Sequence, residues 1–260
     1  MVTLVTGSKG FVGSHLIPIL KKTHKVVEWD IADGKDIFDD KIEDAIKKAD
    51  AVIHLAASTN VNRSFSLTEE VMVLNVLGTA RIAAFCAKYR KKLVYPSSAA
   101  FYYPDLSPYA KSKYLAEEII KPLMSFTPVT VLRFFNIFGP NMNPNSGSAV
   151  YNFLTEDKIV VYGDGEQTRD YIHIRDIVSV IVASLSSKWN GKVVDVGTGQ
   201  AYSMNYVAGI IAKFRNKKIE YQLVKREIKW SLADTQMLKT LYKKPLTTNL
   251  PEDLRELCGN

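Results

Sequence analysis

Val2-Thr3-Leu4-Val5-Thr6-Gly7-Ser8-Lys9-Gly10-Phe11-Val12-Gly13-Ser14-His15-Leu16 is the stretch that decides the fold. Val2 to Val5 is a short, mostly apolar run that reads as a strand. Three glycines follow in the spacing G-x-x-G-x-x-G, and then a helical pattern begins. Strand, glycine-rich turn and helix in that order make a dinucleotide-binding unit. Gly7 permits a tight turn, Gly10 lets the backbone approach a pyrophosphate, and Gly13 lets the helix pack closely on the strand. The helix N-terminus then turns backbone N–H groups toward the phosphates. A second strand, Lys25 to Trp29, ends in Asp30. An acid about twenty residues beyond the glycines suits the adenosine ribose hydroxyls and repels a 2′-phosphate, which favours NAD over NADP.

A second constellation lies near the middle of the chain. Ser97-Ser98 is followed by Tyr109-Ala110-Lys111-Ser112-Lys113 at the start of a helical stretch. Residues four apart share one helix face, so Tyr109 and Lys113 are neighbours. The lysine charge is expected to lower the tyrosine pKa. A tyrosine tuned that way moves a proton at a carbon-bound hydroxyl. On its own Tyr-x-x-x-Lys also describes an ordinary helix surface, and Ser97-Ser98 an ordinary strand-end turn.

Strands and helices alternate outward from these two motifs. Ala51 to Leu55, Lys92 to Pro96 and Val129 to Leu132 read as buried parallel strands. Glu69 to Tyr89 and Tyr109 to Met124 read as helices between them. Pro140, Pro144, Asn145 and Gly147 mark a loop, after which the pieces shorten. Ala149 to Thr155, Ile174 to Ser186 and Tyr206 to Phe214 look helical, and Ile159 to Tyr162 and Lys192 to Val196 look extended. The expected division is 1–140, a nucleotide-binding domain with the reactive residues, and 141–260, a smaller lobe for substrate. A segment at about 173–198 is expected to return to the first domain.

Bulk properties narrow the classes. The 260 residues, 47% hydrophobic and 23% charged, are ordinary for a water-soluble domain with a sizeable core. Met1 leads directly into the first strand, and no apolar run reads as long enough to span a bilayer. Cys86 and Cys258 lack metal-ligand spacing, as do the four histidines, and a reducing cytoplasm is the expectation. The net charge of +7 gathers in 213–229 without a nucleic-acid-binding motif, so an anionic small molecule is the better partner.

An ordered series of further motifs runs through the chain. These are His54-Leu55-Ala56-Ala57, Asn75-Val76-Leu77-Gly78-Thr79 and Leu132-Arg133-Phe134-Phe135-Asn136-Ile137-Phe138-Gly139-Pro140. Gly163-Asp164-Gly165-Glu166-Gln167-Thr168-Arg169-Asp170-Tyr171-Ile172-His173, Val196-Gly197-Thr198-Gly199 and Leu232-Ala233-Asp234 complete it. With the two opening motifs, the series resembles the extended short-chain dehydrogenase/reductase family over nearly the whole chain, in its NAD-dependent sugar-nucleotide epimerase branch. The resemblance implies an α/β fold: a Rossmann-like doubly wound parallel sheet with a small C-terminal α/β lobe for substrate. The stretch from Asp30 to Asp36 leaves almost no room for the usual third strand and its helix.

By the same resemblance, Tyr109 is the catalytic acid/base, Lys113 holds the nicotinamide ribose, and Ser98, or alternatively Ser97, holds the reacting oxygen. NAD is the implied cofactor. Its implied contacts are Gly7, Gly10, Phe11, Val12, Gly13, Asp30, Ile31, Asp36, Ile37, Leu55, Ala56, Ala57, Asn75, Ser97 and Phe135, together with Tyr109 and Lys113. Ser98, Asn136, Arg169 and Arg226 are implied at the sugar nucleotide, with Arg169 also able to pair with Asp170 or Asp176. Ala99 and Ala100 stand where dehydratases of the family carry an Asp-Glu pair. Alanine transfers no proton, so dehydration is disfavoured. The leading expectation is a UDP-hexose 4-epimerase working through a 4-keto intermediate, as a homodimer through helices 69–89 and 109–124. A sugar-nucleotide reductase or dehydrogenase of the same fold, and a non-catalytic NAD-binding sensor, are the alternatives. Only ten residues separate Ser98 from Tyr109, which implies an open sugar pocket and weak discrimination among hexoses.

Overall fold

The computed structural model describes residues 1–223 and 228–259, apart from the side chain of Asn145. It divides into two units, Met1–Arg133 with Val178–Val194, and Phe134–Ile177 with Asp195–Asn260.

The first unit is built on a six-stranded sheet. Its elements begin with β1 (Val2–Thr6), α1 (Phe11–Leu20), β2 (Lys25–Trp29), α2 (Lys41–Lys48) and β3 (Ala51–His54). Next come α3 (Thr68–Met72) and α4 (Thr79–Lys88), joined by a π-helical turn at Val73–Gly78. Then follow β4 (Lys92–Ser98), α5 (Pro108–Ile120) and β5 (Val129–Phe134). The sheet order is β2-β1-β3-β4-β5-β9, where β9 is Lys192–Val196. The pairs β1–β2, β1–β3 and β3–β4 are parallel, with Thr3 opposite both Val26 and Ala51. Parallel strands covered on both faces need apolar residues throughout, and all four residues of β3 are buried. The order reverses between β1 and β3, which is where an open α/β sheet forms its ligand crevice.

Only a three-residue 3-10 turn, Ile31–Asp33, follows β2 before the chain heads for α2. The usual third strand is absent and β2 is the sheet edge. The helix expected at Tyr109 starts one residue earlier for a local reason. Pro108 occupies the first turn, where its missing N–H costs nothing, and the Ser107 hydroxyl caps it by accepting from Ala110 N at 3.1 Å.

One expectation is corrected. Thr68–Lys88 forms 21 continuous helical residues that are long and apolar enough to cross a membrane by length and composition. The helix was expected at Glu69 to Tyr89, but lone polar residues interrupt its apolar sequence. Its Val71, Asn75, Thr79, Ile82, Ala83 and Cys86 are buried within the first unit.

The second unit contains β6 (Asn136–Phe138), α6 (Ala149–Thr155), β7 (Ile159–Tyr162), β8 (Thr168–His173) and α7 (Ile174–Ser184), whose last residues belong to the first unit. After β9 come β10 (Ala201–Ser203), α8 (Met204–Arg215), β11 (Ile219–Gln222), β12 (Trp230–Ser231), α9 (Gln236–Leu241) and α10 (Leu250–Gly259). Strand β8 is central: β10 pairs with it antiparallel, and β12 and β6 pair with it in parallel. The motif Thr168-Arg169-Asp170-Tyr171-Ile172-His173 is thus a strand, an assignment that its charged and polar residues concealed.

Candidate active site

The glycine turn follows β1 directly. Gly7 has φ of +67°, and a Cβ there would lie 2.6 Å from Ala56 N and 2.7 Å from Leu55 C. A Cβ on Gly13 would lie 2.4 Å from Gly7 O. Both contacts are with backbone, so neither position accepts a side chain. Ser14 N bonds to Gly10 O at 2.8 Å as α1 starts at Phe11, which leaves the N–H groups of its first turn without a partner inside the helix. At the end of β2, Asp30 is 8% exposed. Its carboxylate accepts from Lys9 N at 2.8 Å and Ala32 N at 2.9 Å. Ile31 is exposed beside it. Asp36 accepts from Phe38 N at 2.9 Å through its side chain, and Ile37 is buried in the core.

Leu55, Ala56 and Ala57 continue from the end of β3, with Leu55 N bonded to Thr6 O at 3.0 Å. His54 anchors this edge. Its ring bonds to the Thr6 hydroxyl at 2.7 Å through Nδ1 and to the Thr79 hydroxyl at 3.3 Å through Nε2. Burial pushes its pKa down to about 3, with the nearby Lys113 charge acting in the same direction. Folded protein therefore holds the imidazole neutral, while the unfolded chain takes a proton below about pH 6.5. The stability this supplies is complete above about pH 6.5 and is lost as pH falls toward 3. We expect a loss on the order of 3 kcal/mol between pH 7 and pH 4, measured by urea unfolding, and a much smaller loss in His54→Gln. Equal acid sensitivity in the two proteins would remove His54 as the cause.

Asn75 sits in the π-helical turn and is 1% exposed. Its side chain accepts from Ser58 N at 2.8 Å and donates to Ser58 O and the Ser112 hydroxyl at 2.9 Å each. It therefore ties the loop after β3 to α5. The one-residue swelling of a π turn is a recurrent feature of functional sites.

Ser98 ends β4. Its hydroxyl accepts from Ala100 N at 3.1 Å and lies near enough to the Tyr109 phenol to influence its protonation. Ser97, by contrast, has a buried hydroxyl without a hydrogen-bond partner. Tyr109 is 8% exposed and Lys113 is 4% exposed. Burial raises the Tyr109 phenol above its ordinary pKa, against the lowering effect of the Ser98 hydroxyl. This corrects the expectation that Lys113 brings the phenol down. The Lys113 ammonium is directed elsewhere, donating to Pro96 O at 3.2 Å and lying 5.2 Å from the centre of the Tyr95 ring. Its own pKa is lowered to about 8 by burial, with Glu117 opposing.

In the second unit, Arg169 donates to Thr168 O at 2.8 Å and Ile228 O at 2.7 Å, and the Asn136 amide donates to Asp170 O at 2.9 Å. Phe135 is buried, its N–H bonded to Val196 O at 3.1 Å. Arg226 lies outside the described residues. Asp170 is fully buried and accepts from Thr198 N, the Thr198 hydroxyl, Gly199 N and Ala233 N at 2.7–3.3 Å. Burial raises its carboxyl pKa against these donors. Three separate motifs thus meet at one carboxylate.

The sequence pattern described as the NAD dependent epimerase/dehydratase family matches residues 3–197. The chain belongs to that family. A UDP-glucose 4-epimerase of Yersinia enterocolitica is 28% identical to it, covering 87% of this chain and 86% of the relative. A UDP-N-acetyl-alpha-D-glucosaminuronate decarboxylase of Bacillus cytotoxicus is 27% identical, covering 79% and 77%. The structure of MoeE5 in complex with UDP-glucose and NAD has a TM-score of 0.88 at 28% identity, covering 100% of this chain and 98% of that one. The family is NAD dependent, and NAD is the cofactor. Gly7 and Gly13, where a Cβ would collide with backbone, keep the turn closely packed ahead of α1, and the N-terminus of that helix fits a pyrophosphate.

For an epimerase/dehydratase family member, the most consequential contact missed in the sequence is a buried ion pair. Glu117 is 0% exposed at its side chain and Arg133 12%. The guanidinium donates to both carboxylate oxygens at 2.8–3.1 Å and to the Tyr102 hydroxyl at 2.9 Å. It also lies 3.7 Å from the centre of the Phe101 ring. The pair clamps the Ala99–Tyr102 turn, and that turn carries Ser98 as its N-cap. A signal was present: Tyr109, Lys113 and Glu117 recur every four residues along one helix face.

Proposed function

We propose that this chain is a UDP-hexose 4-epimerase acting through a 4-keto intermediate. The observation that carries the reading is the Ser98 hydroxyl beside the buried Tyr109 phenol, with alanine, not acid, at 99 and 100. Bound NAD supplies hydride acceptance and return at the sugar carbon. Tyr109 takes the hydroxyl proton as the carbonyl forms and gives it back as the hydroxyl is restored. Ser98 holds that oxygen, and Lys113 holds the nicotinamide ribose. Gly7, Gly10, Gly13 and Asp30 hold the adenosine diphosphate half. Asn136, Arg169 and Arg226 serve the sugar nucleotide in a second, substrate-binding unit. No group at 99 or 100 is able to move a proton for dehydration.

The test is mass spectrometry of ligands released from the purified protein, followed by interconversion of UDP-glucose with UDP-galactose and of their N-acetyl and uronic acid counterparts. Epimer formation without net NADH is the expected result. Net NADH would indicate a dehydrogenase, and carbon dioxide from a uronic acid would indicate a decarboxylase like the Bacillus relative.

The protein's assembly and compartment belong to the same reading. Val73, Leu77, Leu115 and Ile119 on the α3–α4 and α5 helices are 37–58% exposed. A helix packed on a sheet needs only one apolar face. These helices are proposed to pair with their copies across a two-fold axis in the cytoplasm. Sedimentation at micromolar concentration is expected to give a dimer, and a monomer would overturn the pairing.

A further inference from the structure

We propose that Asp33 sets the cofactor preference of this chain by neutralising Lys9 beside Asp30. The inference rests on NAD binding at the glycine turn and is independent of the sugar chemistry.

Lys9 lies inside the glycine turn, and its backbone N–H donates to one carboxylate oxygen of Asp30 at 2.8 Å. Ala32 N holds the other oxygen at 2.9 Å. Asp30 is thus fixed from both sides, by the turn that approaches the phosphates and by its own 3-10 turn. Such an acid accepts hydrogen bonds from the ribose hydroxyls and repels a 2′-phosphate. The Lys9 side chain introduces the opposite preference at the same place. A cation beside the ribose is the feature that accommodates a 2′-phosphate.

Asp33 removes that cation from use. The Lys9 ammonium forms an ion pair with the Asp33 carboxylate. The geometry follows from the short connection after β2. Asp33 N bonds to Asp30 O at 2.9 Å, Gly34 N bonds to Ile31 O at 2.9 Å, and Gly34 at φ of +70° closes the turn. An acid three residues beyond Asp30 is thereby folded back toward the glycine turn. A third strand and helix in this place would carry the chain away instead. The remaining nearby acid, Glu28, is paired with Lys21 at 2.7 Å, and Lys35 donates to the Glu28 carbonyl at 2.9 Å. Asp30, Asp33 and Lys9 together therefore present net negative charge where a 2′-phosphate would sit.

The pair is an exposed one, with side chains 48% and 35% accessible. Exposed ion pairs contribute little to stability, so its substitution leaves the fold intact. Its effect is on the charge offered to the ligand.

The test is calorimetric titration of the full chain with NAD and with NADP, for wild type, Asp33→Asn, Lys9→Gln and the double variant. Wild type is expected to prefer NAD. Asp33→Asn is expected to raise NADP affinity by about tenfold or more, the worth of one charge-assisted hydrogen bond, with NAD affinity little changed. The double variant is expected to lose that gain, which separates release of Lys9 from mere loss of a negative charge. NADP affinity unchanged in Asp33→Asn, or a gain that survives in the double variant, would overturn the proposal.

Discussion

Tyr109→Phe is expected to lower turnover by about two to four orders of magnitude while NAD affinity is retained. The substitution removes the oxygen proposed to transfer the proton and keeps the ring that fills the buried position. It also leaves the Ser98 hydroxyl without the phenol beside it. The phenol is raised by burial, so its neutral form prevails in the folded protein. Lys113 sets a second limit on the same reaction. Its amine is brought down to about 8, so the ammonium is present below that pH and is lost above it. Turnover is expected to fall above about pH 8 as this charge disappears. Rates measured across pH 6 to 10 for wild type and single-turnover rates for the variant check both statements. A Tyr109→Phe variant that turns over like wild type would reject Tyr109 as the acid/base.

Arg133→Ala is expected to cost about 3–5 kcal/mol in stability, because it leaves the Glu117 carboxylate buried without its partner. The fork of two N–H groups on one carboxylate is the strong form of an ion pair, and a point-charge lysine does not reproduce it. The variant also releases Tyr102 and uncovers Phe101, so the turn after Ser98 loosens. Turnover is expected to fall with stability. Replacing both partners, as in Arg133→Met with Glu117→Leu, is expected to recover much of the stability, since no buried charge remains. Urea unfolding of the single and double variants gives the measurement. A loss below about 1 kcal/mol in Arg133→Ala would mean that water reaches Glu117 and that the pair is ordinary surface chemistry.

Local patterns in the chain were sufficient for the dinucleotide-binding unit. Glycine spacing, the apolar run before it and the acid at Asp30 each reflect a constraint within a few residues: a positive φ, a close backbone approach, a strand end. The missing third strand was legible for the same reason, because seven residues from Asp30 to Asp36 have no room for it. Tyr109 and Lys113 were legible because helix geometry places residues four apart on one face.

Tertiary structure decided what those residues do to one another. Burial raised Tyr109 and lowered Lys113, whereas spacing alone had implied that the lysine would lower the tyrosine. Desolvation depends on every atom packed around a group, and no short pattern encodes it. The sequence singles out Asn75 as a cofactor contact; that its amide also bonds Ser58, 17 residues before it, and Ser112, 37 residues after it, is visible only in the fold. Asp170 gathers Thr198, Gly199 and Ala233 from segments far apart in sequence, and Glu117 meets Arg133 only because α5 packs beside the end of β5. The ion pair of Lys9 with Asp33 likewise exists because a three-residue turn folds back on the glycine loop. Motif spacing therefore determined the fold and singled out the candidate site residues, while their charge states and partners were settled by contacts between segments that sequence order does not bring together.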